Sequence, residues 1–362
     1  MNSKAFLLPA ALMIAGNSVA NSKGKKTDKR PNILVILADD LGYSDLGCYG
    51  SEIHTPNLDK LAQQGVRFNH FYNASRSCPT RASLLTGLYQ HQAGIGRMTF
   101  DDNLPGYRGT LSRNAVTIAE VLKESGYTTS MIGKWHVAET PLRKDQREWL
   151  AHHVYHDTYS DLCHYPVNRG FDSHYGTIYG VVDYFDPFSL VEGEVPVKEV
   201  PEGYYITQAL SDRAAEEVTE YAKDDKPFFM YLAYTAPHWP LHALPEDIEK
   251  YKDTYKVGWE AIRNARYERQ KQLGIFPGMD DFLSERQFKD RWEDNAHAEW
   301  DARAMAVHAA MIDRMDQGIG QVIDALEKTG QLDNTLILFL SDNGCSNENC
   351  QNYSPGENGR PD

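Results

Sequence analysis

The stretch that most constrains this chain is Asn32–Ala38, Asn-Ile-Leu-Val-Ile-Leu-Ala, followed at once by Asp39-Asp40-Leu41-Gly42. An apolar run of this length, without polar alternation, is the pattern of a parallel strand covered on both faces. It demands helices on either side of a sheet and a chain long enough to supply them. With 362 residues, 41% of them hydrophobic, the chain suffices for one large core or two domains. Two adjacent carboxylates at the strand's exit repel each other unless a cation sits between them; a solvated turn is the bland alternative.

The arrangement recurs along the chain. Ala115–Ser125 places Ile118, Val121 and Leu122 on one helical face, and the strand Thr128–Ile132 leads into Gly133-Lys134-Trp135-His136. A helix near Gln208–Ala222 precedes the strand Phe228–Tyr234, which delivers Ala236-Pro237-His238. A long amphipathic helix, with Met305, Ala309, Ile312, Met315, Ile319, Val322 and Leu326 on one face, precedes Thr335–Ser341 and its ending Asp342-Asn343-Gly344. Thr55-Pro56 opens a shorter helix that Gly65 closes. Strands alternating with helices predict an α/β fold, a mostly parallel sheet sandwiched by helices. Ligands of such sheets bind beyond the carboxyl ends of the strands. Asp39, Asp40, Lys134, His136, His238, Asp342 and Asn343 all fall there. Three aspartates and an asparagine suit a hard divalent cation, Ca²⁺ or Mg²⁺, more than zinc.

Ser75–Gly87 reads Ser-Arg-Ser-Cys-Pro-Thr-Arg-Ala-Ser-Leu-Leu-Thr-Gly. Pro79 is preset for a first helical turn, Ala82–Leu85 continue it, and Gly87 is a natural stop. Ser77 and Cys78 thus sit where free N–H groups and the positive helix end attract an anion, and Arg81 adds a positive charge one turn in. An ordinary capped helix is the alternative.

The pattern Ser77-x-Pro79-x-Arg81, four residues, then Thr86-Gly87 resembles the signature of formylglycine-dependent sulfatases. The register selects Ser77, because Cys78 has proline directly after it. The blocks Leu-Ala-Asp-Asp-Leu-Gly, Ser-Cys-Pro-Thr-Arg, Gly-Lys-Trp-His, Ala-Pro-His-Trp-Pro and Ser-Asp-Asn-Gly follow in the order of a type I sulfatase of the alkaline phosphatase superfamily. Gly94-Ile95-Gly96 and Pro105-Gly106-Tyr107 give the chain an arylsulfatase-like look. The resemblance runs from Asn32 to about Gly344.

That resemblance implies a sulfuric ester hydrolase acting on aryl sulfates or sulfated carbohydrates. Ser77 would be oxidised to formylglycine by a maturase before export. Asp39, Asp40, Asp342 and Asn343 match the family's Ca²⁺ ligands, with residue 77 completing the shell. Arg81 and Lys134 match the residues that hold the formylglycine hydrate and offset sulfate charge. Asp342 would take the proton of the attacking hydroxyl, His238 would donate to the leaving oxygen, and His136 would act as base when sulfate is expelled. The family normally continues into a further block with an active-site lysine and a small C-terminal antiparallel sheet. The chain reaches neither, which reads as a catalytic domain over 31–362 that is incomplete at its C-terminus. A phosphonate or phosphate monoester hydrolase of the same superfamily, and an inactive truncated fragment or binding protein, are the competing readings.

Charge and the termini set the context. Lys and Arg number 37 against 51 Asp and Glu, a net charge of −14, which argues against a nucleic-acid partner and makes any anion site a local positive pocket. Met1–Ala20 has Lys4, an apolar run and Ser18-Val19-Ala20, the form of a signal peptide rather than a transmembrane span. Asn21–Arg30 reads as a disordered lead-in, and the expected location is periplasmic or secreted. Five scattered cysteines are not a disulfide framework; a Cys345–Cys350 loop pair remains open.

The intervening regions are less telling. Glu139–Val200 is rich in tyrosine, including Tyr155, Tyr159, Tyr165, Tyr175, Tyr179 and Tyr184, which either stack on a sugar or aryl group or pack the loop itself. His152, His153 and His156 read as solvated loop residues, and the Lys and Arg run of Glu246–Arg303 reads as a mostly solvated face.

Overall fold

The structure, a computed structural model, describes residues 30–139, 159–276, 283–285 and 291–346. The leader Met1–Ala20, Tyr155, His152, His153, His156 and Cys350 lie outside the described residues.

The apolar runs become the centre of one sheet. Strands β1 (Asn32–Ala38), β2 (Thr128–Gly133), β3 (Ser173–Thr177), β4 (Leu190–Glu192), β5 (Val195–Pro196), β6 (Phe228–Ala233) and β7 (Thr335–Ser341) lie in the order β5-β4-β3-β2-β6-β1-β7. β3, β2, β6, β1 and β7 run parallel, and β4 and β5 extend the sheet antiparallel beyond β3. The helices are α1 (Pro56–Gln64), α2 (Ser77–Thr86), α3 (Ile118–Glu124), α4 (Ile206–Tyr221), α5 (Pro245–Glu249), α6 (Trp259–Gln272) and α7 (Ala298–Lys328).

Strand residues alternate between two cores, as side chains of period two must. Leu34, Ile36, Phe228, Met230 and Leu232 pack with α4 and α7 on one face. Val35, Leu37, Phe229 and Tyr231 pack with Cys78, Ala82 and Leu85 of α2 and Ala119 of α3 on the other. Burial on both faces is why the sequence of β1 shows no polar alternation. The predicted stripe of α7 faces the first core, with Ala309, Ile312, Met315, Ile319, Val322 and Leu326 all fully buried. β7 is different: among the described residues it pairs with β1 only, and Leu336 and Leu338 stand exposed on it.

No helix among the described residues is long and apolar enough to cross a membrane. The charged insertion keeps most of its described Lys and Arg at the surface, as expected, with Arg266 the exception. α6 lies within it, and Arg266 there is largely buried, pairing with Asp45 and with Glu52 at 2.7 Å. The strands β3–β5 escape the sequence because they are short and polar or interrupted (Ser-His-Tyr-Gly-Thr for β3), with no apolar run to mark them.

Candidate active site

The site is assembled from the carboxyl ends of β1, β2, β6 and β7 and the amino end of α2. Register places the ends together: Leu37 pairs with Ala233, Gly133 with Ala233, and Ala38 with Ser341. The Asp39 N–H donates to the Ala236 carbonyl (3.0 Å) and the Asp342 N–H to the Ala38 carbonyl (3.2 Å), so both strand exits are pinned before their side chains act.

Ser77 is the first residue of α2, whose Gly87 C-cap is left-handed (φ 69°) and donates its N–H to the Ser83 carbonyl. Four residues on, one turn along the helix, Arg81 Nε donates to Ser77 Oγ at 3.0 Å. The Arg81 guanidinium is fully buried and also reaches Asp342 Oδ2 (2.9 Å), Asp39 Oδ1 (3.2 Å) and the Lys134 carbonyl (2.9 Å). Burial would pull its proton off; Asp342 and Asp39 reverse this and raise its pKa further. The neighbouring Cys78 points the other way, into the core against Met98, and burial pushes its thiol up to about 12.

Lys134, fully buried, pairs with Asp39 Oδ2. Burial alone would raise the Asp39 carboxyl, but Lys134, His238 and Arg81 together hold it below the ordinary value. Asp342 goes the opposite way: burial raises it, and the negative charge of Asp39 adds to that against Arg81 and Lys134. Carboxylate oxygens of Asp39, Asp40 and Asp342 lie within 4.8 Å of one another. Three carboxylates therefore gather with Arg81 and Lys134 in a buried site.

His136 and Asp40 both hold left-handed backbone, at φ 53° and 63°, an uncommon conformation for residues with a side chain. Gly180 makes room for the imidazole, since a Cβ there would stand 2.2 Å from its Nε2. His136 Nδ1 lies 3.3 Å from Ser77 Oγ. Burial, then the positive charges of Lys134 and Arg81, depress its pKa well below the ordinary range, so the ring is neutral. His238 donates from Nδ1 to the Trp239 carbonyl (2.5 Å) and turns Nε2 toward Asp40 Oδ2 (3.5 Å).

The donor chemistry fits a hard divalent cation. The three aspartates offer only oxygen; Asp342 Oδ2 already accepts two Arg81 N–H groups, but every carboxylate keeps at least one oxygen with lone-pair capacity to spare. Asn343 directs Nδ2 at Asp40 Oδ1; a half-turn of its terminal torsion exchanges that atom for Oδ1, the one a cation takes.

Two residues that sequence reasoning missed hold the site in place. One is Gly180. The other is Tyr184, whose hydroxyl lies 2.7 Å and 2.8 Å from the Thr235 and His238 carbonyls and fixes the loop that carries His238. For Tyr184 the sequence leaves stacking on a substrate and packing of the loop both open; it is a buried lock, and no local signal distinguishes the two uses. Tyr159 and Tyr165 are likewise buried, and Tyr175 bonds to the Tyr204 hydroxyl at 3.0 Å. Most of the tyrosine-rich segment is packing.

A mostly parallel α/β sheet that gathers Asp39, Asp40, Asp342, Lys134, His136 and His238 at its strand ends, beside a helix carrying Ser-x-Pro-x-Arg, defines the class. The sulfatase family model matches residues 31–361, and the chain belongs to the sulfatase family. It is 35% identical over 342 residues to an uncharacterised sulfatase of Schizosaccharomyces pombe, covering 87% of this chain and 58% of that protein. It is 34% identical over 353 residues to an arylsulfatase of Klebsiella aerogenes, covering 96% of this chain and 72% of that one. Among solved structures, Ps i-CgsB in complex with k-i-k-neocarrahexaose superposes with a TM-score of 0.60 at 32% identity, over 88% of this chain and 59% of that one. The chain thus spans little more than half the length of some of the relatives it matches.

Proposed function

We propose that this chain is the catalytic domain of an exported sulfatase, extending over 31–362, that hydrolyses sulfate esters of carbohydrates and of simple aryl alcohols. The observation that carries this reading is the position of Ser77 Oγ, bonded to Arg81 Nε at 3.0 Å and 3.3 Å from neutral His136, beside three converging carboxylates. Conversion of Ser77 to formylglycine before export, and one Ca²⁺ or Mg²⁺ held by Asp39, Asp40, Asp342, Asn343 and residue 77, complete it. When bound, those groups supply the nucleophilic hydroxyl and a Lewis acid for the sulfate oxygens.

The chain's own residues do the rest. Arg81 and Lys134 offset the charge that spreads over the sulfuryl oxygens, in a dry site where fixed charges act without reorganising. Asp342, whose pKa lies above the usual carboxylate value, accepts the proton of the attacking hydroxyl. Nδ1 of His238 donates to the Trp239 carbonyl while Nε2 faces Asp40 Oδ2, so as an imidazolium the ring gives its Nε2 proton to the departing oxygen. His136, neutral and beside residue 77, takes the remaining hydroxyl proton as sulfate leaves. Support for a carbohydrate substrate is the oligosaccharide bound by Ps i-CgsB.

Peptide mass spectrometry across Asn73–Arg81 of protein from the native host tests the modification, with an aldehyde expected at residue 77 and none at Cys78. N-terminal sequencing of exported protein should begin after Ala20. Asp39→Ala should lose both bound Ca²⁺ or Mg²⁺ and sulfate release. Faster turnover of phosphate than of sulfate monoesters, or an unchanged metal content in that variant, would overturn the reading.

A further inference from the structure

Beside the strand-end site, but apart from it, three different ligand chemistries meet. The loop after β1 supplies the Asp45 carboxylate, α7 supplies the His308 imidazole, and the turn after β7 supplies the Cys345 thiol. One ligand atom of each lies within 4.8 Å of the other two. The three are far apart in sequence, and Gly42 is what lets two of them meet. A Cβ on Gly42 would stand 2.4 Å from Asp45 Oδ2 and 3.4 Å from the Cys345 Cβ, so any side chain there would wedge them apart. The Gly42 N–H donates to Asp45 Oδ2 at 2.9 Å and orients that carboxylate.

Asp45 and Glu52 are balanced by Arg266 and Arg269, which pair with them from α6. The Cys345 sulfur pairs with neither arginine and faces the Asp45 side of the cluster. Neither ring nitrogen of His308 has a hydrogen-bond partner among the described residues, so a lone pair is available. Asp45 is buried, His308 half-buried and Cys345 exposed, which leaves the outer side open to water and to an entering ion.

We propose that Asp45, His308 and Cys345 form a second metal site, selective for a borderline transition-metal ion such as Zn²⁺. Sulfur, nitrogen and one carboxylate oxygen are the donors that ion takes, with the fourth, solvent-facing position filled by water. The all-oxygen set of Asp39, Asp40 and Asp342 prefers a hard ion. The molecule thus separates two metals by donor type, a short distance apart across Gly42.

Co²⁺ titration of the reduced chain, in excess Mg²⁺ to occupy the hard site, tests this without reference to activity. One Co²⁺ should bind with a thiolate-to-cobalt charge-transfer band that Zn²⁺ abolishes by competition. C345S should lose the band, and H308Q should weaken Co²⁺ binding by more than about tenfold. C350S and Asp39→Asn should both keep it, since neither residue belongs to this site. No band in the wild-type chain, a band that survives C345S, or one that disappears with Asp39→Asn would overturn the assignment. So would a Cys345–Cys350 disulfide found by peptide mapping of the protein from its host.

Discussion

Asp316 in α7 and Asp342 after β7 are both buried carboxylates, yet different partners satisfy them. Asp316 accepts the backbone N–H groups of Asn57 (3.1 Å) and Leu58 (2.8 Å) and the Asn57 side chain (2.9 Å), closing the amino end of α1. Its donors are fixed amide dipoles, and the negative charge that acts on it is the more distant Asp59. Asp342 accepts from the Arg81 guanidinium and the Asp40 N–H, and it faces Asp39 and Asp40 directly. The first arrangement ties a helix to a helix. The second concentrates like charge where the backbone itself is strained, at Asp40 and His136. Burial of a carboxylate is therefore no mark of chemistry here; an excess of carboxylates over cations at the strand ends is.

The sharpest way to break this comparison is to remove the cation that joins two of the three carboxylates, Asp39 and Asp342. Arg81→Ala should lower sulfate release by about 10²–10³-fold or more, as loss of a preorganised charge partner does. It should also destabilise the fold by about 3–5 kcal/mol in urea denaturation, because Asp39 and Asp342 lose a buried partner. Near-wild-type stability in this variant would mean that the carboxylates do not need the guanidinium.

A buried base with no facing carboxylate sharpens the contrast. His174 on β3 is 2% exposed, and burial lowers its pKa to about 4. The unfolded chain takes up the proton first, near the ordinary value of 6.5. Stability should therefore be intact above about pH 6.5 and fall as pH drops toward 4, by up to about 3 kcal/mol from this residue. His174→Phe should flatten that part of the pH–stability curve, and an unaltered slope would remove His174 from the account.

Asp316→Ala should cost less, about 1–3 kcal/mol, by orphaning the amides of Asn57 and Leu58. Sulfate release per folded molecule should stay the same, the opposite of Arg81→Ala. The smallest effect belongs to the capping box of α3, where Thr117 Oγ1 accepts from the Glu120 N–H (3.1 Å) and Glu120 Oε2 accepts from the Thr117 N–H (2.7 Å). Thr117→Ala should cost about 1 kcal/mol in thermal or urea unfolding and leave turnover alone.

Much of this molecule was readable without a fold. The runs Asn32–Ala38 and Thr335–Ser341 became strands with those same limits, and Phe228–Tyr234 one residue shorter. The α7 stripe buried as its period required. Asp39, Asp40, Lys134, His136, His238, Asp342 and Asn343 could be picked out because parallel strands deliver whatever follows them to one edge. That information is local: apolar periodicity records burial, and a polar residue after a buried run records a strand's end.

Contacts between distant segments left no such trace. Whether Tyr184 meets a substrate or locks the His238 loop depends on where Thr235 and His238 come to lie, some fifty residues further on, as its bonds to their carbonyls record. Arg266 reads as one more charge on a solvated helix until α6 lays it against Asp45 and Glu52. The meeting of Asp45, His308 and Cys345 is of the same kind. Sequence sets which elements form and much of what the central strands and α7 bury, through short-range sterics and the transfer of apolar surface from water, yet Ile118, Val121, Leu336 and Leu338 stay exposed. Only the packed structure decides which polar groups share a site, because that pairing depends on distances that chain order does not encode.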